Sequence, residues 1–227
     1  MKRRFASQRR VRLSDTDPAG RLRLDAVARY LQDVASDDWA DAGFDPDAHV
    51  WVVRRTEIDV VSPFAGDDRV ELETWCSGVA ATSAARRYSL TGDRGGRIEA
   101  ESIWIHLGRD LRPLRLDDRF LAVYGGSADG RRASTRFSLP ARPKVEPTRP
   151  WPLRSTDADR LGHVNNAAFW APVEELWGLR LTGPAQVVVE YRSPVDVGDT
   201  VVLAEAEDTL WLVVGDDVRA AARLEPQ

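Results

Sequence analysis

With 227 residues, 43% of them hydrophobic, the chain is long and apolar enough to bury a sizeable core, which argues against wholesale disorder. A net charge of −4 argues against a nucleic-acid partner, and a lone cysteine, Cys76, excludes an intrachain disulfide framework and a thiolate metal cluster. The basic N-terminal segment lacks the apolar run of a signal peptide, and no stretch approaches the roughly 18 apolar residues of a membrane span, so a cytoplasmic protein is expected.

The first recognisable element is the segment Arg12-x-x-Asp15-x-Asp17-x-x-Gly20. Behind it Val27, Tyr30, Leu31, Val34 and Ala35 recur at helical spacing, with Asp25 as the expected N-cap. Strand-like runs follow at 51–61, 70–76, 85–90 and 98–107; in Val70-Glu71-Leu72-Glu73-Thr74 apolar and polar positions alternate as in a half-buried strand. The stretch 127–149 carries Pro140, Pro143 and Pro147, with Pro150 and Pro152 just beyond, and reads as an extended connector. It also holds Arg131, Arg132, Arg136, Arg142, Lys144 and Arg149, which a solvated crossover accommodates without any binding role. Arginine supplies nearly all the positive charge of the chain, and codon bias explains this as readily as phosphate recognition does.

The first segment then recurs as Arg154-x-x-Asp157-x-Asp159-x-x-Gly162, and in the same alignment Asp33 falls on Glu175. A second helical pattern, Phe169, Trp170, Val173, Leu176 and Trp177, follows, with Asn165 or Asn166 as cap, Gly178 as stop and Pro172 tolerable only near its start. Strands are expected at 185–191, 200–206, 210–214 and 218–224. One helix followed by antiparallel strands, twice over, predicts an α+β chain in which each repeat is a long helix wrapped by a curled antiparallel sheet. This is a tandem (double) hotdog fold. The repeats are placed at 1–126 and 150–227, with the connector 127–149 between them.

Common catalytic signatures are missing from the sequence: it has no Gly-x-Ser-x-Gly elbow, no P-loop and no dinucleotide fingerprint. His49, His106 and His163 lack metal-ligand spacing, so no metal and no cofactor are expected, and Cys76 reads as a buried structural thiol. The chemistry-bearing segment is Asp157 to Asn166, where carboxylates, an imidazole and two amides crowd the entrance of a helix. Asp159 can act as base or nucleophile, and His163 can orient it or relay protons. Asn165 can fix a water or a carbonyl, and backbone N–H groups at the helix start can face an oxyanion. Glu175, further along the helix, is a second-tier member. Each residue also has a plain reading: Asn165 as a cap, Asp157 as a brace for Arg154, and Glu174 with Glu175 as a solvated face.

These residues resemble the acyl-acyl carrier protein thioesterases, the plant and bacterial group with tandem hotdog domains. The first half carries the likeness in Leu31-Gln32-Asp33-Val34, in 51–59 and in 70–76; the second carries it in Asp157-Ala158-Asp159, His163-Val164-Asn165-Asn166, Glu175 and Glu190-Tyr191-Arg192. The resemblance implies hydrolysis of fatty acyl-ACP to free fatty acid without a cofactor, with acyl carrier protein as partner and Asp159 and His163 at catalytic positions. It departs at Leu161, where the family has asparagine, and at Pro194 and Val195, where it has Glu-Cys, which excludes a cysteine nucleophile there.

The first copy, Asp15-Thr16-Asp17-Pro18-Ala19-Gly20, resembles the active-site segment of single-domain 4-hydroxybenzoyl-CoA-type thioesterases, to which the second repeat is also akin. That leaves Asp17 as a second site or as a backbone brace, with Arg21 and Arg23 replacing His163 and Asn165 and available for carrier phosphates. An acyl-CoA thioesterase, a non-catalytic acyl-ligand-binding hotdog protein and a hotdog dehydratase are the rival functions, and a homodimer of double hotdogs is a further expectation.

Overall fold

The structure is a computed structural model describing residues 2–45, 50–142, 148–160 and 162–226. His49, Pro143, Lys144, Pro147 and Leu161, all weighed above, lie outside the described residues. Ten strands form: β1 Phe5–Arg10, β2 Val50–Ser62, β3 Arg69–Val79, β4 Ser83–Gly92, β5 Arg97–Leu107, β6 Thr148–Trp151, β7 Ala185–Tyr191, β8 Val201–Ala206, β9 Thr209–Val214 and β10 Asp217–Pro226. The eight expected strands are all among them, and β1 and β6 are additions. Thr148 and Arg149, assigned above to the connector, belong to β6.

All ten strands join one sheet in the order β1-β3-β4-β5-β2-β7-β10-β9-β8-β6, with every pairing antiparallel. The order reads alike from either edge: each half contributes its first strand as the edge and its second strand at the centre. The halves meet at β2 and β7, from Arg55 opposite Glu190 to Val60 opposite Ala185. Pro150 lies on the edge strand β6, where the missing N–H costs the ladder least. Alternation sets the faces: Val70, Leu72, Thr74 and Cys76 of β3 are buried, whereas Glu71 and Glu73 are not.

Against the apolar face packs α1, Leu24–Asp41, which buries Leu24, Val27, Leu31 and Val34 at three- and four-residue steps in one core with Ile58, Leu72, Val187 and Val189. Arg23, not Asp25, is its N-cap; Asp25 lies inside the first turn, paired with Arg23 and Arg29 at 2.8 Å each. Burial pushes the Asp25 carboxyl upward, but these two guanidiniums outweigh it and hold the pKa below its ordinary value.

The second helix is not the long one expected. It is 3-10 over Asn166–Trp170, α over Ala171–Trp177 and 3-10 again over Gly178–Arg180. Pro172, lacking an N–H, is confined to the start of the α-helical turns, so the chain reaches it through the tighter opening turn. Among the described residues no helix is long and apolar enough to cross a membrane.

The connector is fastened to the seam of the sheet. Glu190 of β7 is fully buried and accepts from the Ser138 N–H (2.5 Å), the Ser138 hydroxyl (2.9 Å) and the Leu139 N–H (3.2 Å). The Arg54 and Arg192 guanidiniums lie over Phe137, 3.6 and 5.0 Å from its centroid, and Trp211 donates to the Pro140 carbonyl. Truncating Glu190 leaves the buried Leu139 N–H without its acceptor and frees the exposed Ser138 from the seam, so Glu190→Ala is expected to cost about 2 kcal/mol of stability in a urea titration.

Candidate functional site

In the second half the Asp-x-Asp segment folds by its own hydrogen bonds. The Asp157 carboxylate accepts from the Arg154 N–H (2.8 Å) and guanidinium (2.7 Å), while its carbonyl accepts from the Asn165 N–H (2.8 Å). The Asp159 N–H donates to the His163 carbonyl (2.8 Å) and the Gly162 N–H to the Asp159 carbonyl (3.0 Å). Gly162 turns the chain at φ +83°, a conformation that favours glycine. The first half repeats the set: Arg12 to Asp15, Asp17 to Arg21, Gly20 to Asp17, and Gly20 at φ +85°. The arginine, the first aspartate and the glycine of the motif therefore build the turn. The second aspartate contributes its main chain to the same turn, and in the first half its carboxylate also accepts from the Arg21 N–H.

Asp159 lines a cavity of about 500 Å³, together with Asn165 and Asn166. One wall belongs to the other half of the chain: Gln32, Ala35, Ser36, Trp39 and Ala40 follow one another along α1 at helical spacing. From Gln32 to Ala40 this stripe runs about 12 Å. Cys76, Ala84 and Trp104 line the sheet side, and Trp51 and Phe120, packed around Trp39, line the cavity too. Cys76 is buried, and burial pushes its thiol pKa up, so it is an apolar wall element without nucleophilic character. Arg86 also lines the cavity, its charge answered by buried Asp38 at 2.6 Å.

Asn165 caps the opening turn, its Oδ1 accepting from the Ala167 N–H (2.8 Å) and from Gln32 Nε2 (3.2 Å). The Ala168 N–H is likewise taken, by the Asn165 carbonyl. The opening turn thus consumes N–H groups that the sequence reading assigned to an oxyanion. The His163 side chain is 41% exposed on the outer side, its Nε2 3.8 Å from Asp196 Oδ1. Glu175 is not brought to this group; it is 59% exposed and 3.6 Å from Arg149 of β6. Its repeat partner Asp33 behaves alike, paired with Arg9 of β1 at 2.8 Å. In both halves the second carboxylate is a surface ion pair with the edge strand.

The equivalent position in the first half is filled. Asp17 accepts from the Arg21 N–H (2.9 Å) and Nε (3.1 Å), and Arg21 Nη2 continues to Glu174 at 2.6 Å. Glu174 also accepts from the Leu24 N–H at the start of α1. Burial opposes the charge on Arg21, but Glu174 and Asp17 outweigh it and raise its pKa. Arg23 is held by Asp25 and by the carbonyls of Thr16 and Ser14. Asp17, Arg21 and Arg23 thus spend their side chains on one another, on Asp25 and Glu174 and on nearby carbonyls.

A second, polar cleft of about 780 Å³ adjoins the cavity, and Gln32 and Asn165 line both. Arg9, Arg10, Arg12 and Arg29 of the first half and Arg154 of the second line it, together with Asp15, Asp25, Asp33 and Asp157. Among the described residues Arg10 and Arg12 form no salt bridge. Neither this cleft nor the part of Gln32 was legible in sequence; the only hint was the Leu31-Gln32-Asp33-Val34 likeness on α1.

Residues 2–124 match the acyl-ACP thioesterase N-terminal domain and residues 141–217 its C-terminal domain. The chain is 39% identical over 223 residues to Uncharacterized protein Rv2001 of Mycobacterium tuberculosis, covering 95% of this chain and 89% of that one. It is 28% identical over 174 residues to the chloroplastic oleoyl-acyl carrier protein thioesterase 2 of Arabidopsis thaliana, covering 64% of this chain and 46% of that protein. Among solved structures it resembles in fold an acyl-ACP thioesterase from Bacteroides thetaiotaomicron (TM-score 0.78, 18% identity, 97% and 96% of the two chains). The 12:0-ACP thioesterase from Umbellularia californica is similar to it in the same sense (TM-score 0.76, 18% identity, 98% and 96%). Two domain matches in order, spanning most of the sequence, establish the relationship: the chain belongs to the acyl-ACP thioesterase family.

Proposed function

We propose that this protein hydrolyses fatty acyl thioesters of acyl carrier protein to free fatty acid and carrier, in the service of fatty acid biosynthesis. Its scaffold is read as a tandem hotdog with repeats at 1–126 and 150–227 and the connector 127–149 between them. The observation that carries the proposal is the cavity of about 500 Å³ that brings Asp159 and Asn165 of the second half against the α1 stripe of the first. The apolar end takes the acyl chain, and the thioester lies at the polar end. Asp159 removes a proton from water as the water oxygen bonds to the thioester carbon. The tetrahedral intermediate then breaks its C–S bond, the sulfur leaves as thiol with the proton that Asp159 took from the water, and the carboxylic acid remains. The Asn165 side chain polarises the carbonyl, in place of the spent helix N–H groups. His163, with its partly exposed side chain, carries the proton of the product acid to solvent.

The arginine-lined cleft is read as the approach for the phosphorylated arm and the acidic surface of the carrier. Raising salt is therefore expected to raise KM for acyl-ACP steeply, with little change in kcat. Arg10→Glu is expected to raise the same KM about tenfold. A KM for acyl-ACP indifferent to salt, with acyl-CoA turned over equally well, would move the assignment to acyl-CoA. Tight acyl-thioester binding without turnover would make the protein an acyl-ligand sensor.

A further inference from the structure

We infer that Gln32 is a positioning residue for the hydrolysis, reaching across from the first half of the chain to fix the Asn165 amide. The inference rests on the reading of Asp159 and Asn165 given above, and it adds a residue which the motif itself does not contain. The oxygen of Asn165 faces the Ala167 N–H at 2.8 Å, and a backbone N–H can only donate. That contact fixes which end of the Asn165 amide is oxygen. The same oxygen meets Gln32 at 3.2 Å, so the Gln32 atom there must be its nitrogen. Both amides are thereby oriented by chemistry. The Asn165 oxygen is used twice, and its NH₂ group is the end left to donate to a substrate carbonyl. The Gln32 oxygen is correspondingly directed away from Asn165, as an acceptor at the junction of the cavity and the cleft.

The repeat supplies a second, independent observation. In the alignment of the two halves, Gln32 falls on Glu174. Glu174 also reaches across to the other half, but to neighbouring positions: it takes Arg21, the repeat partner of His163, at 2.6 Å, and the Leu24 N–H, whereas Gln32 takes Asn165. Arg21 and Arg23 are the repeat partners of His163 and Asn165. Each half thus sends the residue at this helix position across to the turn of the other. A carboxylate with arginine fills it; a neutral amide with asparagine leaves a cavity beside Asp159. The helix that carries Gln32 is anchored here, with Leu31 and Val34 buried in the core.

The test is steady-state turnover of a long-chain acyl-ACP by wild type, Gln32→Met, Asn165→Ala and the double variant, with thermal midpoints for each. Methionine keeps the length and removes the donor. Gln32→Met is expected to lower kcat about tenfold with KM within about twofold, and to melt with wild type. Because Gln32 acts through Asn165, the double variant is expected to lose no more kcat than Asn165→Ala alone. Wild-type kcat in Gln32→Met, a loss confined to KM, or fully additive losses in the double variant would overturn the inference. Gln32→Glu separates a misfolded methionine variant from a real effect. It conserves shape, cannot donate when ionised, and is expected to lower kcat further; a glutamate variant as active as wild type would also overturn the inference. If wild type itself fails to release fatty acid, the thioesterase reading falls. If wild type is active and Asp159→Asn is not, while Gln32→Met is unimpaired, this inference alone falls.

Discussion

Asp159→Asn is expected to lower kcat for a long-chain acyl thioester about a thousandfold, within the range observed when a positioned general base is removed. The substitution is nearly isosteric, and the turn around it is held by main-chain bonds, from the Asp159 N–H to the His163 carbonyl and from the Gly162 N–H to the Asp159 carbonyl. The thermal midpoint should therefore change little, and KM with it, since the proposed reading places the acyl chain at the apolar end of the cavity. Rates are to be followed by thiol release, with the folded fraction of each preparation measured in parallel. A residual rate is expected, because the Asn165 amide and the bound geometry remain. His163 offers a graded contrast. It stands outside the cavity with a 41% exposed side chain, so His163→Ala should cost far less than the loss of Asp159.

The second large effect is on substrate length. Ala35 lies on the α1 stripe between Gln32 and Trp39, with the sheet side of the cavity opposite. Tryptophan at this position fills space otherwise open to the acyl chain. Excluding about four methylenes, each worth roughly 0.8 kcal/mol of burial, removes about 3 kcal/mol of binding. Ala35→Trp is accordingly expected to lower kcat/KM for long acyl chains about a hundredfold while short chains stay within a few-fold of wild type. The comparison across chain lengths is internal to one variant, so a modest loss of stability from overpacking cannot imitate it. A uniform loss at every length would show that the chain lies elsewhere.

Much of this organisation could be read from residues alone, and the exceptions have physical causes. The repeat was visible because both turns need the same arginine, aspartate and glycine for the same bonds. The interior strands were visible because one face is buried, as Val70, Leu72, Thr74 and Cys76 show. The edge strands were not. β1, Phe-Ala-Ser-Gln-Arg-Arg, has few apolar residues to alternate, and β6 contains Pro150. The second helix was legible in position and in having an asparagine cap, with Asn165 and Asn166 both open until the structure, but its opening turn is 3-10, a distinction that apolar spacing does not encode.

Spacing also could not choose between Glu174 and Glu175, which point about 100° apart on a helix. Glu175 proved to be a surface partner of Arg149, and Glu174 the residue that crosses to Arg21. The ambiguity at Asp17 had the same origin. Its sequence neighbours suit a site as well as a brace, and the ion pair of its partner Arg21 with Glu174 comes from the far half, where spacing cannot show it. Gln32 was hidden for the same reason, since its contact with Asn165 joins residues remote in sequence.

The central claim is that one acyl thioester site exists per chain and that it is built on Asp159. Its most direct test is the release of free acid and thiol from a long-chain acyl-ACP by wild type, Asp159→Asn and Asp17→Asn side by side. Wild type is expected to release the two products in equal amounts. Asp159→Asn should lose about a thousandfold in kcat, and Asp17→Asn should keep kcat within about twofold while melting lower, because Arg21 loses a partner. Undiminished turnover by Asp159→Asn, or its collapse in a folded Asp17→Asn, would contradict the account.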